Sequence, residues 1–255
     1  FLSRVNRSCC FNDGDQDSLI AETDGSLPSG RGFEFVGMPF TLEEYADKQT
    51  PWACVMDVIG EMGYDAPSRQ EAAGLHVNMD RQRNFQRSTD TITRFVYAIN
   101  RMSALTIYIA GRHNTEYAYV NTNINWASAR EVAASAGGKY RAVYVAGERV
   151  EVRAFMSCTT HEQMMTVLEY CDALCAFAGH WDADVGEAGD NTREFDSNYL
   201  VNQFGEFIMT HSRCKWPHLV EALTQHCFDV GRTQLRHALL QFSRPAEVEV
   251  TADAA

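Results

Sequence analysis

Residues 73–80, Ala-Gly-Leu-His-Val-Asn-Met-Asp, alternate apolar and polar positions. Leu75, Val77 and Met79 fall on one side; His76, Asn78 and Asp80 fall on the other. A period of two belongs to a β-strand, so the pattern predicts a strand with one polar face. The same period predicts a short strand over residues 32–36, with Glu34 opposite to Phe33 and Phe35. It also predicts two strands over 140–145 and 149–155, joined into a hairpin by Ala146-Gly147-Glu148. In the second of these, Val150, Val152 and Ala154 alternate with Glu151, Arg153 and Phe155.

Helical signals fill most of the remainder. Thr41-Leu42-Glu43-Glu44 is a capping box. Pro51 interrupts that helix, and a second runs over 52–62 with Gly63 as its stop. One long helix is expected over 89–110, ended by Gly111. Others are expected over 127–136, stopped by Gly137-Gly138, over 160–178, and at about 195–209, 217–229 and 231–241. Four stretches follow: a turn-rich segment over 1–31, with little regular structure before Gly32; an α+β domain over 32–178; an acidic loop and C-terminal helices over 179–244, packed on the same domain; and a flexible tail over 245–255. The acidic loop reads as a solvated loop, with a lid as the alternative. The expected fold is α+β, an antiparallel sheet with a concave polar face backed by helices, and a helical C-terminal part.

Composition narrows the function. With 22 basic and 34 acidic residues among 255, the net charge is −12, which argues against a nucleic-acid binder held by phosphate neutralisation. The richest apolar stretch, 95–110, is cut by Asn100, Arg101 and Ser103, so no membrane span is expected. No secretory leader is visible, and the first residue, Phe1, is expected to reflect processing or a fragment. The eight cysteines are irregularly spaced with no C-x-x-C pair, which fits a reduced, cytoplasmic compartment better than secretion. Cys171 and Cys175, one helical turn apart, read as core residues. Cys158 is a conceivable nucleophile, although the run from Ser157 to Thr160 is better explained as a helix N-cap. The cluster from Arg81 to Arg87 reads as a solvated face. His161, His180, His211 and His218 lack metal-ligand spacing and read as structural or surface residues.

Three strands each place a charged or metal-competent side chain in an apolar setting: Glu34, His76, and Glu151 with Arg153. Singly, each is an ordinary solvent-facing residue of a sheet. Together, two carboxylates and an imidazole can hold a hard divalent cation. An arginine two residues from the glutamate can hold an anion beside it. That pairing suits phosphoryl transfer, in which charge compensation supplies most of the catalysis.

The order Asp24-Gly25-Ser26-Leu27, Gly32-Phe33-Glu34-Phe35-Val36-Gly37-Met38-Pro39, Gly74-Leu75-His76-Val77-Asn78, Arg112, Lys139-Tyr140-Arg141 and Val150-Glu151-Val152-Arg153-Ala154-Phe155 resembles the amidoligase family, relatives of glutamine synthetase and glutamate–cysteine ligase. The resemblance covers about residues 22–178. It implies a glutamine synthetase-like fold and an ATP- and Mg²⁺-dependent carboxylate–amine ligase, with Mn²⁺ as an alternative ion, forming an amide through an acyl phosphate. Carried over to this chain, Glu34, His76 and Glu151 would be metal ligands. Arg153, Lys139 and Asn78 would bind the nucleotide or its phosphates. Arg153 and Arg112 would act on the transferring group or substrate, and Asp24 would help order the site. Small-molecule or peptide carboxylates and amines would be the substrates, and a homo-oligomer or larger assembly is compatible.

The chain departs from the family at three points. The family's G-x-E-x-E strand is not found in residues 1–31, Asn78 stands where the family has a second histidine, and Gly37 stands where it usually has serine. These departures motivate a second expectation: a non-catalytic structural protein with a degenerate ligase fold, such as a component of a phage particle, located in the virion. Family members in phages and mobile elements are what the resemblance implies. A metal-dependent hydrolase using the same ligands is a third.

Overall fold

The computed structural model describes residues 19–22, 34–37, 39–47, 51–61, 74–111, 118–135, 138, 140–181, 197–211 and 215–229. Their order is β1 (Leu19–Glu22), β2 (Glu34–Gly37), α1 (Leu42–Ala46), α2 (Pro51–Glu61), β3 (Gly74–Asp80), α3 (Arg81–Phe85), α4 (Thr89–Arg101), α5 (Ser103–Ala110), α6 (Trp126–Ala134), β4 (Val143–Ala146), β5 (Arg149–Met156), α7 (His161–His180), α8 (Ser197–His211) and α9 (Pro217–Asp229). The fold is mixed α+β and mostly helical. The expected helix over 231–241, the acidic loop over 182–196 and the tail lie outside the described residues.

Strands β3, β5 and β4 form an antiparallel sheet with β5 in the centre. The hairpin is tighter than the three-residue connection expected. Ala146 pairs with Arg149, leaving a two-residue loop whose first position, Gly147, has φ 56, where a side chain would be strained. Strand β4 begins only at Val143. Just before it the chain has a second partner: Arg141 makes a parallel bridge to Tyr119, with Tyr119 N donating to Tyr140 O and Ala142 N donating to Tyr119 O, while Ala142 O still accepts from Arg153 N of β5.

The regular alternation expected for β5 fails at one place. Leu75 pairs with Phe155 and Val77 with Val152, so β3 spans two residues where β5 spans three. This is a β-bulge at Arg153-Ala154, opposite His76. It moves Phe155 onto the face of Val150 and Val152, where it joins the main core with Val77, Met79, Val143 and Val145. Ala154 instead packs with Val120 and Ala142. The other face carries the polar rows: Asn78, Glu151 and Tyr144 stand side by side, as do Asp80, Arg149 and Ala146.

Strands β1 and β2 form a separate antiparallel pair in which Glu22 is opposite Glu34. Little regular structure was expected before Gly32. Three apolar residues and a glutamate, Leu19-Ile20-Ala21-Glu22, carry little local signal, and pairing with β2 is what makes them a strand. Phe35 of β2 packs on α2 with Val55 and Val58, while Glu34 and Val36 are exposed.

Helix boundaries follow their caps. The Thr41 box is formed: Glu44 N donates to Thr41 Oγ1 and Thr41 N donates to a Glu44 carboxylate oxygen. Ser88, Asn125 and Thr160 cap α4, α6 and α7 through their side chains. The single helix expected over 89–110 is broken at Met102 (ψ 36) into α4 and α5. Thr106 Oγ1 donates to Ile99 O across the break, so a buried side chain takes over a carbonyl the interruption releases; Asn100 Oδ1 accepts from Asn121 N and ties α4 to the loop before α6. The 20-residue α7 is the spine of the fold, burying Met164, Tyr170, Cys171, Leu174 and Phe177 among others.

Helix α9 is tied to α7 by polar groups. Glu169, buried on α7, accepts from Leu219 N at 2.8 Å and lies 2.6 Å from His218 Nδ1. One turn on, Asp172 Oδ2 accepts from Trp216 Nε1 at 2.8 Å and from Lys215 Nζ at 2.9 Å. Glu169 thus places a carboxylate at the first turn of α9, where unpaired backbone N–H groups and the helix dipole favour it.

Candidate functional site

The polar face of the β3–β5–β4 sheet gathers the densest set of charged groups. Its centre is Glu151, whose side chain is 4% exposed although it lies on the face away from the main core. His76 Nδ1 is 3.2 Å from Oε1, and Arg153 Nε is 2.8 Å from the same oxygen. Arg149 approaches Oε2 at 3.5 Å. The Arg153 guanidinium also lies over the Tyr144 ring, 5.2 Å from its centroid. The Arg153 Nε–Glu151 pair is a charge contact rather than an aligned hydrogen bond.

Strand geometry explains the convergence. Glu151 and Arg149 are two residues apart on one face, Tyr144 is the cross-strand neighbour of Glu151 on one side and Asn78 on the other, and the bulge brings Arg153 in beside His76. Burial by itself raises the Glu151 carboxyl. The hydrogen bond from His76 and the charges of Arg153, His76 and Arg149 outweigh it and hold the group below the ordinary glutamate range.

Of the expected site residues, His76, Glu151 and Arg153 come together, with Asn78 exposed as the cross-strand neighbour of Glu151. Glu34 is exposed in the β1–β2 pair rather than in this sheet. Asp24, Arg112 and Lys139 lie outside the described residues. Arg149 was not anticipated; its place two residues before Glu151 was the available signal. Among the described residues no three histidine, cysteine, aspartate or glutamate side chains group in a way that could hold a metal ion. A guanidinium stands against Glu151, and Asn78 beside it offers a neutral oxygen.

Other candidates resolve into structure. Burial pushes the Cys158 and Cys175 thiols up to about 12, and Cys171 well above its ordinary value, so Cys158 is not an activated nucleophile. His161 Nε2 lies 3.0 Å from Tyr45 O, and His218 serves Glu169. Arg87 pairs with Glu148 at 3.1 Å, and Arg81 N donates to Glu148 O, so part of the basic cluster anchors the hairpin loop.

The chain matches no family model, no curated protein and no solved structure. Among the described residues no helix is long and apolar enough to cross a membrane.

Proposed function

We propose that the polar face of the β3–β5–β4 sheet binds an anionic ligand bearing a phosphate or carboxylate group. We propose further that it serves ATP-dependent carboxylate–amine ligation, the chemistry implied by the amidoligase resemblance, with the Mg²⁺–nucleotide complex counted as a substrate. The observation that carries the reading is the charge balance at Glu151. Two guanidiniums and an imidazole crowd one buried carboxylate on a chain of net charge −12, with Asp80 the exposed cross-strand neighbour of Arg149. Arg149 and His76 are 57% and 38% exposed, so they are within reach of a ligand. Glu151 holds them in place from beneath.

In this reading Arg149 and His76 engage the anion. Arg153, 19% exposed and braced by Glu151 and Tyr144, fixes the shape of the site. The test is titration of the protein with ATP, with and without Mg²⁺, and with inorganic phosphate, followed by ADP release in the presence of amine and carboxylate mixtures. Binding that weakens at least tenfold in Arg149→Ala, with ADP release, supports the ligase. Binding without ADP release supports the anion site alone. Equal binding by wild type and Arg149→Ala, or none, overturns both.

A second reading, a structural protein, draws on the same contacts: Glu151 has basic groups against both oxygens, as a sheet-bracing ion cluster would. A stoichiometric place in a particle, without nucleotide binding, is its expected outcome.

A further inference from the structure

The C-terminal ends of α7 and α8 meet through two imidazoles. His180 is the last residue of α7 and His211 the last of α8. Their ring centroids are 4.4 Å apart, and both residues are exposed. Phe207 buttresses the pair, stacking on His211 at 4.5 Å and 22° and lying 5.6 Å from His180.

His211 Nδ1 lies 3.1 Å from Phe207 O. A carbonyl oxygen only accepts, so this contact puts a hydrogen on Nδ1 and leaves Nε2 for another partner. A backbone carbonyl on one ring nitrogen is the usual partner that orients a metal-binding histidine and leaves the other nitrogen for the ion. The location adds to this. Both residues sit where a helix dipole is negative, so two partial negative charges converge on the pair and favour a cation there.

We infer that His180 and His211 form a surface site for a borderline transition-metal ion of the Zn²⁺, Ni²⁺ or Cu²⁺ type, bound through two imidazole nitrogens with water completing the coordination. The spacing suits it. With metal–nitrogen bonds of about 2.0–2.1 Å and roughly 1.1 Å from nitrogen to ring centre, two imidazoles on one tetrahedral ion have centroids about 5 Å apart. A small rotation of either ring from the observed 4.4 Å reaches that separation. Imidazole donors without carboxylate or thiolate select these ions over Mg²⁺ or Ca²⁺. An ion held there would join α7 to α8. The site is separate from the sheet face and independent of the anion-binding proposal.

The test uses the full chain and Ni²⁺, which discriminates imidazole from oxygen donors. Calorimetric titration is run on wild type, His180→Gln, His211→Gln and, as a control at a structural histidine elsewhere in the fold, His161→Gln. Expected is one site whose affinity falls at least tenfold in each of the first two variants and is unchanged in His161→Gln, with a Ni²⁺-dependent rise in Tm present only where the site is intact. Circular dichroism of the metal-free variants checks that they are folded; should either fail to fold, histidine-to-nickel charge-transfer absorption and Tm in the remaining variant carry the comparison. Equal Ni²⁺ affinity in all four proteins, or no Ni²⁺ binding by wild type, overturns the inference.

Discussion

Arg153 and Glu151 sit two residues apart on one strand and pair with each other, Nε to Oε1 at 2.8 Å. The contact is local in sequence, but its setting is not. Glu151 is buried because His76, from a strand 68 residues earlier (81–148 intervene), and the bulge at Arg153-Ala154 close over it.

Glu151→Gln is expected to destabilise the fold by about 1–2 kcal/mol, since it removes the anion that compensates the partly buried Arg153. Urea unfolding at pH 7 measures this. The same substitution tests the pH dependence. The folded Glu151 carboxyl lies below its unfolded value of about 4.3, so its contribution is present above that value and is lost as pH falls through the folded value. Wild type should lose stability faster than Glu151→Gln below about pH 5; parallel profiles would contradict the assignment.

Gly37→Ala should destabilise by about 1–3 kcal/mol, the usual range for overpacking. A Cβ at Gly37 would stand 2.7 Å from Trp52 Nε1 and Cζ2, and Trp52 is buried against Met56 and Met164. Adding Trp52→Phe to Gly37→Ala should recover part of the loss. Thermal unfolding of the two variants checks both statements.

Glu169→Ala should detach α9 before the rest of the chain unfolds. It removes the acceptor of Leu219 N and the partner of His218 together, and should cost about 2–4 kcal/mol. Hydrogen exchange is expected to accelerate in residues 217–225 while α4 and α7 stay protected, and Trp216 fluorescence should shift to the red. Uniform exchange across all helices would show that Glu169 acts on the whole core instead.

The thiols of Cys158, Cys171 and Cys175 should resist iodoacetamide at pH 8 in the native protein and react only on unfolding. Burial holds each in the protonated form. Mass spectrometry of labelled peptides reads this site by site. Rapid native labelling of Cys158 would reopen it as a nucleophile.

Particular residues mark what a reader of the sequence alone can recover. The alternation through Leu75, His76 and Val77 gave β3 its face, and Thr41 and Thr160 carried the information for their own caps, because both signals act over four residues or fewer. The bulge was not readable, because Phe155 changes side only through its pairing with Leu75. The break at Met102 was hidden because Thr106 satisfies the freed Ile99 carbonyl from seven residues on, beyond the reach of a helical repeat. Glu34 shows the limit most plainly: its strand was recognisable, but strand period does not say which sheet a strand joins, and it joined β1. His218 became intelligible only with Glu169, 49 residues away.

The separation between β3 and β5 also orders events in time. During synthesis β3 emerges well before the strand that will sit beside it, and the helices between them must be made first. Contacts this distant along the chain close late, because the intervening loop loses entropy before any pairing repays it. A nascent or truncated chain ending before residue 149 would have the apolar side of β3 and no central strand to cover it. The charged face is therefore a marker of completion, absent from any chain that stops short.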